Sequence, residues 1–252
     1  MKYFFLYLSV AFFSFSKFLF PQELNDIKNP IANSLQLIII ITEDWEANKG
    51  YLQYFERNKY DDNWNSKTQP FEIAIGKNGL AWGYGLHGNQ LSNYKTKKEG
   101  DGKSPAGVFN LGFVFGYNKP EEVKTLKMPY FYSHSKCFCI DDVNSEFYNL
   151  VIDSTLITNA DWKSREKMKL KNDLYKWGIT IENNSTPRIK GNGSCIFFHI
   201  WDEKEKPTAG CTVMSESKLV EIIYWLDKTK NPIVVQLPQN EYDKLKTVWK
   251  LP

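Results

Sequence analysis

One segment near the C-terminal end of the chain combines a cysteine and a histidine in a pattern that suits nucleophilic catalysis. In the run CIFFHIWDEKEKPTAGCTVM, at 195–214, a predicted strand carries His199, and Cys211 follows twelve positions later. A cysteine becomes a strong nucleophile as a thiolate, and a nearby imidazole can take its proton. We therefore predict that His199 activates Cys211 and that the two side chains form an ion pair.

The residues just before Cys211 suit the stabilisation of an oxyanion. Gly210 allows close approach of the backbone, so we expect backbone groups of Thr208, Ala209 and Gly210 to stabilise developing negative charge. Spacing alone leaves a second interpretation open. A single cysteine is usually a small buried apolar residue, and a strand histidine is often a hydrogen-bonded core group.

The remaining cysteines raise the question of disulfides and metal ligands. If Cys211 stays free, at most one disulfide can form among the other three, and either Cys137 or Cys139 can pair with Cys195. His134 could join Cys137 and Cys139 in a metal site. That set lacks a convincing fourth ligand, so we expect a disulfide in place of a metal.

Alternating apolar residues and turn signals predict the elements that position these groups. Ser215 is a predicted helix N-cap, Asp161 a second one, and Gly178 a helix stop. The glycine-rich run 76–79 predicts a turn, and 104–107 a break. Strands are predicted at 34–42, 51–56, 71–75, 108–115, 194–201 and 232–237, strand and loop at 138–153, and helices at 161–177, 216–227 and 241–249.

The bulk composition favours one mature domain, at 34–252, that is mostly β with a few helices (α+β). The 252 residues are 42% hydrophobic, which excludes wholesale disorder. The net charge of +3 comes without a basic run, so we expect no nucleic-acid partner. Neither repeats nor low-complexity linkers interrupt the pattern.

The N-terminal residues 1–16 are typical of a signal peptide. Lys2 precedes an apolar run at 3–15, and the small residues Ser14 and Ser16 suit a cleavage point. A membrane anchor is the alternative, but Lys17 interrupts the run before it reaches spanning length. We expect an exported protein of the periplasm or cell wall, with no membrane span after cleavage.

The order of His199, Thr208, Gly210 and Cys211 resembles the motif of the YkuD-type L,D-transpeptidase catalytic domain. The run GDGKSPAGVF, at 100–109, is similar to a second motif of that family. The resemblance extends from about residue 34 to the C-terminus. It includes the stretches GLAWGYGLH, CIDDVNSEFYNLVID, DWKSREKM and DLYKWGI.

Two positions depart from the family pattern. The family usually has glycine after the histidine, where this chain has Ile200, and arginine or asparagine two residues after the cysteine, where it has Val213. Arginine would orient carboxylates, so its replacement weakens the expectation of a tetrapeptide donor and of cross-linking. The thiol–imidazole pair is unaffected.

The resemblance implies a β-sandwich fold and a cysteine enzyme of cell-wall metabolism. The thiolate would attack a peptidoglycan stem peptide, and another stem's amine would resolve the acyl-enzyme. Water in place of the amine would make the protein an L,D-carboxypeptidase or amidase, and a catalytically silent wall-binding module is a third possibility. The resemblance implies no metal or organic cofactor, and we expect a monomer.

Several further residues are predicted to contact substrate. His87 follows a glycine-containing loop and either reaches the site or only holds the loop. Asp141 and Asp142 either bind the free amine of a diamino acid or form a turn or cap, and the structural role is the one we favour for Asp141. Asp101 is expected to shape a turn. The full set of predicted substrate-binding residues is His87, Asp142, Asn144, Tyr148 and Trp201.

Overall fold

The computed structural model describes residues 29–88 and 94–252, so the predicted signal peptide at 1–16 lies outside the described residues. Strands dominate this part of the chain and helices are few, which confirms the mostly-β prediction. The elements are β1 (Gln36–Thr42), β2 (Lys49–Glu56), β3 (Asn65–Ser66), β4 (Phe71–Ala74), β5 (Leu80–Trp82), β6 (Ser104–Gly116), β7 (Tyr130–Tyr132), β8 (Cys137–Cys139), β9 (Val151–Asp153), β10 (Glu166–Lys167), β11 (Trp177–Ile181), β12 (Phe197–Ile200), β13 (Thr212–Met214), α1 (Glu216–Trp225), β14 (Ile233–Pro238) and α2 (Gln239–Trp249).

The main sheet closes on itself. Its strands follow the order β1–β14–β6–β11–β12–β13–β4–β2, and β2 pairs with β1 to complete the ring. β3, β5 and β7 extend this sheet from β2 and β6. The two faces expected of a sandwich therefore belong to one closed, barrel-like sheet, and closure leaves few unpaired strand edges.

The core is built from strands and helices whose apolar pattern and helix caps predict the structure that is observed. β1 is buried along almost its whole length because it is a run of isoleucines between β14 and β2. In α1, Leu219, Ile222 and Ile223 are fully buried at the spacing of one helix face. Ser215 caps this helix by accepting the Lys218 N–H, as predicted.

A second, three-stranded sheet has the order β10–β8–β9. A disulfide joins Cys139 of β8 to Cys195, which lies just before β12. One of the two pairings that the sequence left open is thereby confirmed. Cys137 and Cys211 are both free and buried.

The predicted helix at 161–177 is wrong. Asp161 is not an N-cap; its carboxylate accepts the Ser145 hydroxyl and the Glu146 N–H. Gly178 lies inside β11. The segment consists of loop, the short strand β10 and turns. Part of its backbone bonds to the small sheet, as where the Met168 N–H donates to the Cys137 carbonyl at 3.0 Å.

The predicted break at 104–107 is also wrong, because these residues open the long strand β6. Pro105 is the partner of Ala81 where β6 pairs with β5, and its carbonyl accepts a hydrogen bond from the Gln236 side chain at 2.8 Å. Gly107 has no side chain because His87 lies against it. A Cβ at this position would come within 2.2 Å of the imidazole.

Candidate active site

Cys211 and His199 line the same cavity, of about 220 Å³. β12 and β13 run parallel, and His199 is the partner of Val213 in their register. Cys211 precedes Val213 by two residues, so both side chains project from the same face of the sheet. Strand register thus places the two side chains on the same side of the sheet, where both line one cavity.

The turn that presents Cys211 is fixed by hydroxyl groups. The Thr208 hydroxyl donates to the Cys211 carbonyl at 2.6 Å and accepts the Gly210 N–H at 3.0 Å. From β6, the Ser104 hydroxyl donates to the Gly210 carbonyl at 2.6 Å and accepts the Gly76 N–H at 2.9 Å. The run GDGKSPAGVF thus positions the nucleophile's turn.

The Cys211 thiol is held between two backbone groups. It donates to the Cys195 carbonyl at 3.4 Å, and its sulfur accepts the Phe197 N–H at 3.4 Å. Burial raises the pKa of this thiol well above its usual value, and the Glu166 carboxyl adds to the rise. Three smaller effects lower the thiol pKa: hydrogen bonds from Phe197 and Tyr175, and the charge of Lys97. They do not cancel the rise that burial causes.

The hydrogen bonding of His199 determines its tautomer. Nδ1 lies 2.8 Å from the Ile200 carbonyl oxygen, which can only accept, so Nδ1 carries the proton. Nε2 of the neutral ring therefore has a free lone pair. Burial lowers the pKa of His199 to about 4, so the ring is neutral at physiological pH.

A neutral thiol and a neutral imidazole make up the resting pair. Burial opposes charge on both partners, so it disfavours the expected thiolate–imidazolium ion pair in the substrate-free protein. A neutral thiol needs a base to take its proton before its sulfur can act as a strong nucleophile. The free lone pair on Nε2 of His199 can accept a proton in such a site.

Tyr175 contacts both members of the pair. Its ring packs edge-on against His199, with centroids 4.8 Å apart. Its hydroxyl lies near enough to Cys211 to lower the thiol pKa, and it donates a hydrogen bond to Glu166. Tyr175 therefore connects the nucleophile and base to a carboxyl group in the cavity wall.

Three carboxyl groups line the cavity: Glu99, Asp141 and Glu166. One oxygen of Asp141 is buried and accepts no hydrogen bond within 29–88 and 94–252. Lys97 also lines the cavity, but it is paired with Asp101. Burial and the charges of Asp141 and Glu99 raise the pKa of Glu166 to about 7.

The three residues predicted to form an oxyanion site are placed side by side in the cavity lining. The Thr208 N–H donates to the Ile75 carbonyl at 2.9 Å, and the Gly210 N–H is bound by the Thr208 hydroxyl. The Ala209 N–H makes no hydrogen bond within the described part of the chain. Of the three amides, this one is available to an oxyanion.

Two of the predicted substrate residues, His87 and Tyr148, are not in the cavity lining. The His87 Nδ1 accepts the Val108 N–H at 3.1 Å, and the ring sits between Trp82 and Phe109. His87 therefore holds its loop, which is one of the two roles that the sequence left open. Tyr148 is buried and donates its hydroxyl to Glu99, so it positions a group that does face the cavity.

The other three predicted substrate residues are also outside the cavity lining. Asp142 accepts the N–H groups of Asn144 at 3.0 Å and Lys163 at 2.7 Å, which is a turn cap. Asn144 is exposed. Trp201 follows β12, and its N–H donates to the Met214 carbonyl at 3.0 Å.

Sequence reasoning missed Glu99, Glu166 and Tyr175 as cavity residues and gave Asp141 little weight. Glu166 and Tyr175 lie in the stretches DWKSREKM and DLYKWGI, whose resemblance to the family was a usable signal. Because a helix was predicted at 161–177, the sequence did not indicate that the side chains of Glu166 and Tyr175 line the cavity. Lys97 and Lys103 belong to a lysine-rich run, and both are buried.

Comparison with known families adds an independent finding. A family model described as the L,D-transpeptidase catalytic domain, YkuD, matches residues 46–235. The chain belongs to the YkuD family. In this YkuD domain the match contains Cys211, His199 and every residue named above as lining their cavity. No curated protein and no solved structure matches the chain.

Two features of the wider YkuD domain bear on the site. A larger cavity of about 610 Å³ runs beside β2 and β4, but its lining contains neither cysteine nor histidine. Cys211 and His199 line the smaller cavity instead. Within the described residues, no helix has both the length and the apolar character needed to cross a bilayer.

Proposed function

We propose that this chain is an L,D-transpeptidase that acts on peptidoglycan stem peptides through a thioester on Cys211. The observation that carries the proposal is that Cys211 and His199 line one cavity while Nδ1 of His199 is held by the Ile200 carbonyl. That bond leaves Nε2 as the basic nitrogen. Membership of the YkuD family supplies the reaction class.

Both halves of the reaction can use the same base. In acylation, Nε2 of His199 takes the thiol proton while sulfur bonds to the carbonyl carbon of the third stem residue. The bond to the terminal D-residue then breaks, and the departing amine takes the proton from His199. In transfer, an acceptor amine gives its proton to His199 and accepts the acyl group, and the thiol is restored.

The charges of the cavity favour a substrate with a cationic group near the scissile bond. Glu99, Asp141 and Glu166 surround the nucleophile, and the lysine among them is already neutralised by Asp101. Position 213 is valine, so no arginine is present there to bind a carboxylate. We assign the side-chain ammonium of a diamino acid to the carboxylates, with Asp141 as its main partner.

Product analysis tests the proposed function. The purified protein is incubated with disaccharide tetrapeptides that carry a diamino acid, and the products are separated and weighed by mass spectrometry. Cross-linked dimers that depend on Cys211 support transfer, whereas shortened monomers would show that water resolves the thioester. Absence of both products would identify a silent wall-binding module.

Matched cysteine variants provide the control. Cys211→Ala is expected to abolish turnover and keep the fold, because the alanine only removes sulfur from a packed site. Cys137→Ala removes the other free, buried thiol and is expected to keep activity. Activity that survives Cys211→Ala would contradict the proposal.

A further inference from the structure

His134, Cys137 and Asp153 bring three ligand atoms together at the small sheet. The imidazole, thiol and carboxylate atoms all lie within 4.8 Å of one another. Nε2 of His134 and Oδ2 of Asp153 are 3.1 Å apart. None of the three residues lines the Cys211 cavity, so this cluster is separate from the proposed active site.

The backbone builds this cluster. Cys137 and Asp153 are directly opposite partners in the antiparallel pair β8–β9, which places their side chains on the same face. His134 belongs to the turn that leads into β8, and its carbonyl accepts the Cys137 N–H at 3.0 Å. The neighbouring disulfide at Cys139 anchors β8 to the main sheet.

The carboxylate is oriented by a neighbour, as is common for metal ligands. Oδ1 of Asp153 accepts the Thr155 N–H at 2.9 Å and the Thr155 hydroxyl at 2.7 Å. Oδ2 is thereby directed at His134. Outer hydrogen bonds of this kind fix a ligand's direction before the ion arrives.

Access to the cluster comes from one side. The Cys137 residue is 1% exposed, whereas the side chains of His134 and Asp153 are 31% and 22% exposed. An ion can therefore enter between the imidazole and the carboxylate and meet the sulfur beneath them. Its remaining coordination position faces solvent and can be filled by water.

We infer that His134, Cys137 and Asp153 form a zinc-binding site. A nitrogen, a sulfur and an oxygen ligand with one open position match the preferences of Zn²⁺, while the thiolate disfavours Mg²⁺ and Ca²⁺. Binding releases the thiol proton of Cys137, and the one proton of the neutral His134 ring, which Nε2 shares with Asp153, leaves Nε2 without being lost from the ring. The imidazole proton then resides on Nδ1, at the expense of the 3.3 Å contact from the Lys136 N–H.

Metal titration of the purified protein without thiol reductant tests the site. The Cys211→Ala variant is used as the parent because Cys137 is then its one free thiol. Zn²⁺ is expected to bind at one equivalent. Co²⁺ is expected to show the absorption of a thiolate–cobalt bond, and Cys137→Ser in this parent is expected to remove that absorption.

Ligand variants and thiol protection complete the test. His134→Gln and Asp153→Asn are each expected to weaken Zn²⁺ binding by at least about tenfold. If a variant fails to fold, alkylation of Cys137 in the parent still decides, because bound Zn²⁺ should slow it. Binding below one equivalent, cobalt spectra without a thiolate band, or alkylation unaffected by Zn²⁺ would each overturn the inference.

Discussion

At the scale of single residues, the central feature is that the proposed nucleophile, Cys211, and its proposed base, His199, are both neutral at rest. Burial raises the pKa of Cys211 and lowers that of His199 to about 4. A neutral pair protects the Cys211 thiol from oxidation, because oxidation proceeds from the thiolate. Substrate binding must then bring about proton transfer, which links reactivity to occupancy of the cavity.

Ionisation of Glu166, and not protonation of His199, should determine how the reaction rate depends on pH. Glu166 titrates at about 7 in the cavity, and its ionised form is the one that favours a substrate ammonium. We expect kcat/KM to fall as the pH drops through about 7. His199 stays neutral until the pH nears 4, so its protonation does not lower kcat/KM near pH 7.

The Glu166→Gln variant isolates this effect because it keeps the size of the side chain and removes its charge. Its acidic limb should shift towards the lower pKa of His199. The pH profile of kcat/KM for both proteins is the measurement. An acidic limb at an unchanged pH in the variant would show that another group controls it.

Asp141 should determine preference for a free side-chain amine. A charge-assisted hydrogen bond contributes about 1.5–3 kcal/mol, so the protein should prefer a stem peptide with a free amine over its N-acetylated form by about tenfold to a hundredfold. Asp141→Asn should lose this preference and turn over both peptides at similar kcat/KM. A preference that persists in the variant would remove Asp141 from substrate recognition.

At the scale of elements, the site depends on a strand register and on a disulfide. Cys195 adopts a positive φ of 55°, which is uncommon for a residue other than glycine. The disulfide to Cys139 holds it, and the Asn149 side chain accepts its N–H at 3.0 Å. In this conformation its carbonyl accepts the Cys211 thiol.

Removal of the disulfide should weaken both stability and catalysis. The Cys139→Ala/Cys195→Ala variant should lose about 2–5 kcal/mol of unfolding free energy in urea titrations. Its kcat should also fall, because the Cys195 carbonyl is released from its strained position. A thiol reductant should destabilise the unmodified protein and leave the stability of the double variant unchanged. Equal sensitivity of the two proteins to reductant would contradict a stabilising role for the disulfide.

The sequence predicted the elements whose local preferences agree with their packing. α1 was predictable from Ser215 and one apolar face, and β14 from a β-branched run. The segment at 161–177 was not, because its lysine-rich pattern suits a solvated helix. Its true conformation depends on β8, which is distant in sequence and accepts the Met168 N–H. Glu166 was missed for the same reason.

At the scale of the whole molecule, closure of the main sheet determines where the site can lie. β1 pairs in parallel with β14 and antiparallel with β2, which joins the N-terminal and C-terminal parts of the described chain. The helix α2 packs on β14 and β1 through buried Leu245 and Trp249. The cavity with Cys211 lies on a scaffold closed by residues from both ends.

The contribution of α2 can be measured at Trp249, which is 1% exposed. Trp249→Ala should lower the unfolding free energy by about 3–5 kcal/mol, because it leaves a large cavity in the core. Trp249→Phe should cost much less, since it keeps most of the ring and removes an indole N–H that has no partner among the described residues. Urea unfolding of the three proteins is the measurement, and equal losses for Ala and Phe would contradict the packing argument.

The most direct test of the account is to capture the acyl-enzyme itself. The protein is mixed with a stem tetrapeptide, quenched in acid within its first turnovers, and examined by intact-mass spectrometry and peptide mapping. The account predicts an acyl mass on Cys211 that hydroxylamine removes, and a rate of formation about a hundredfold lower or more in His199→Ala. An adduct on another residue, or none while products accumulate, would contradict it.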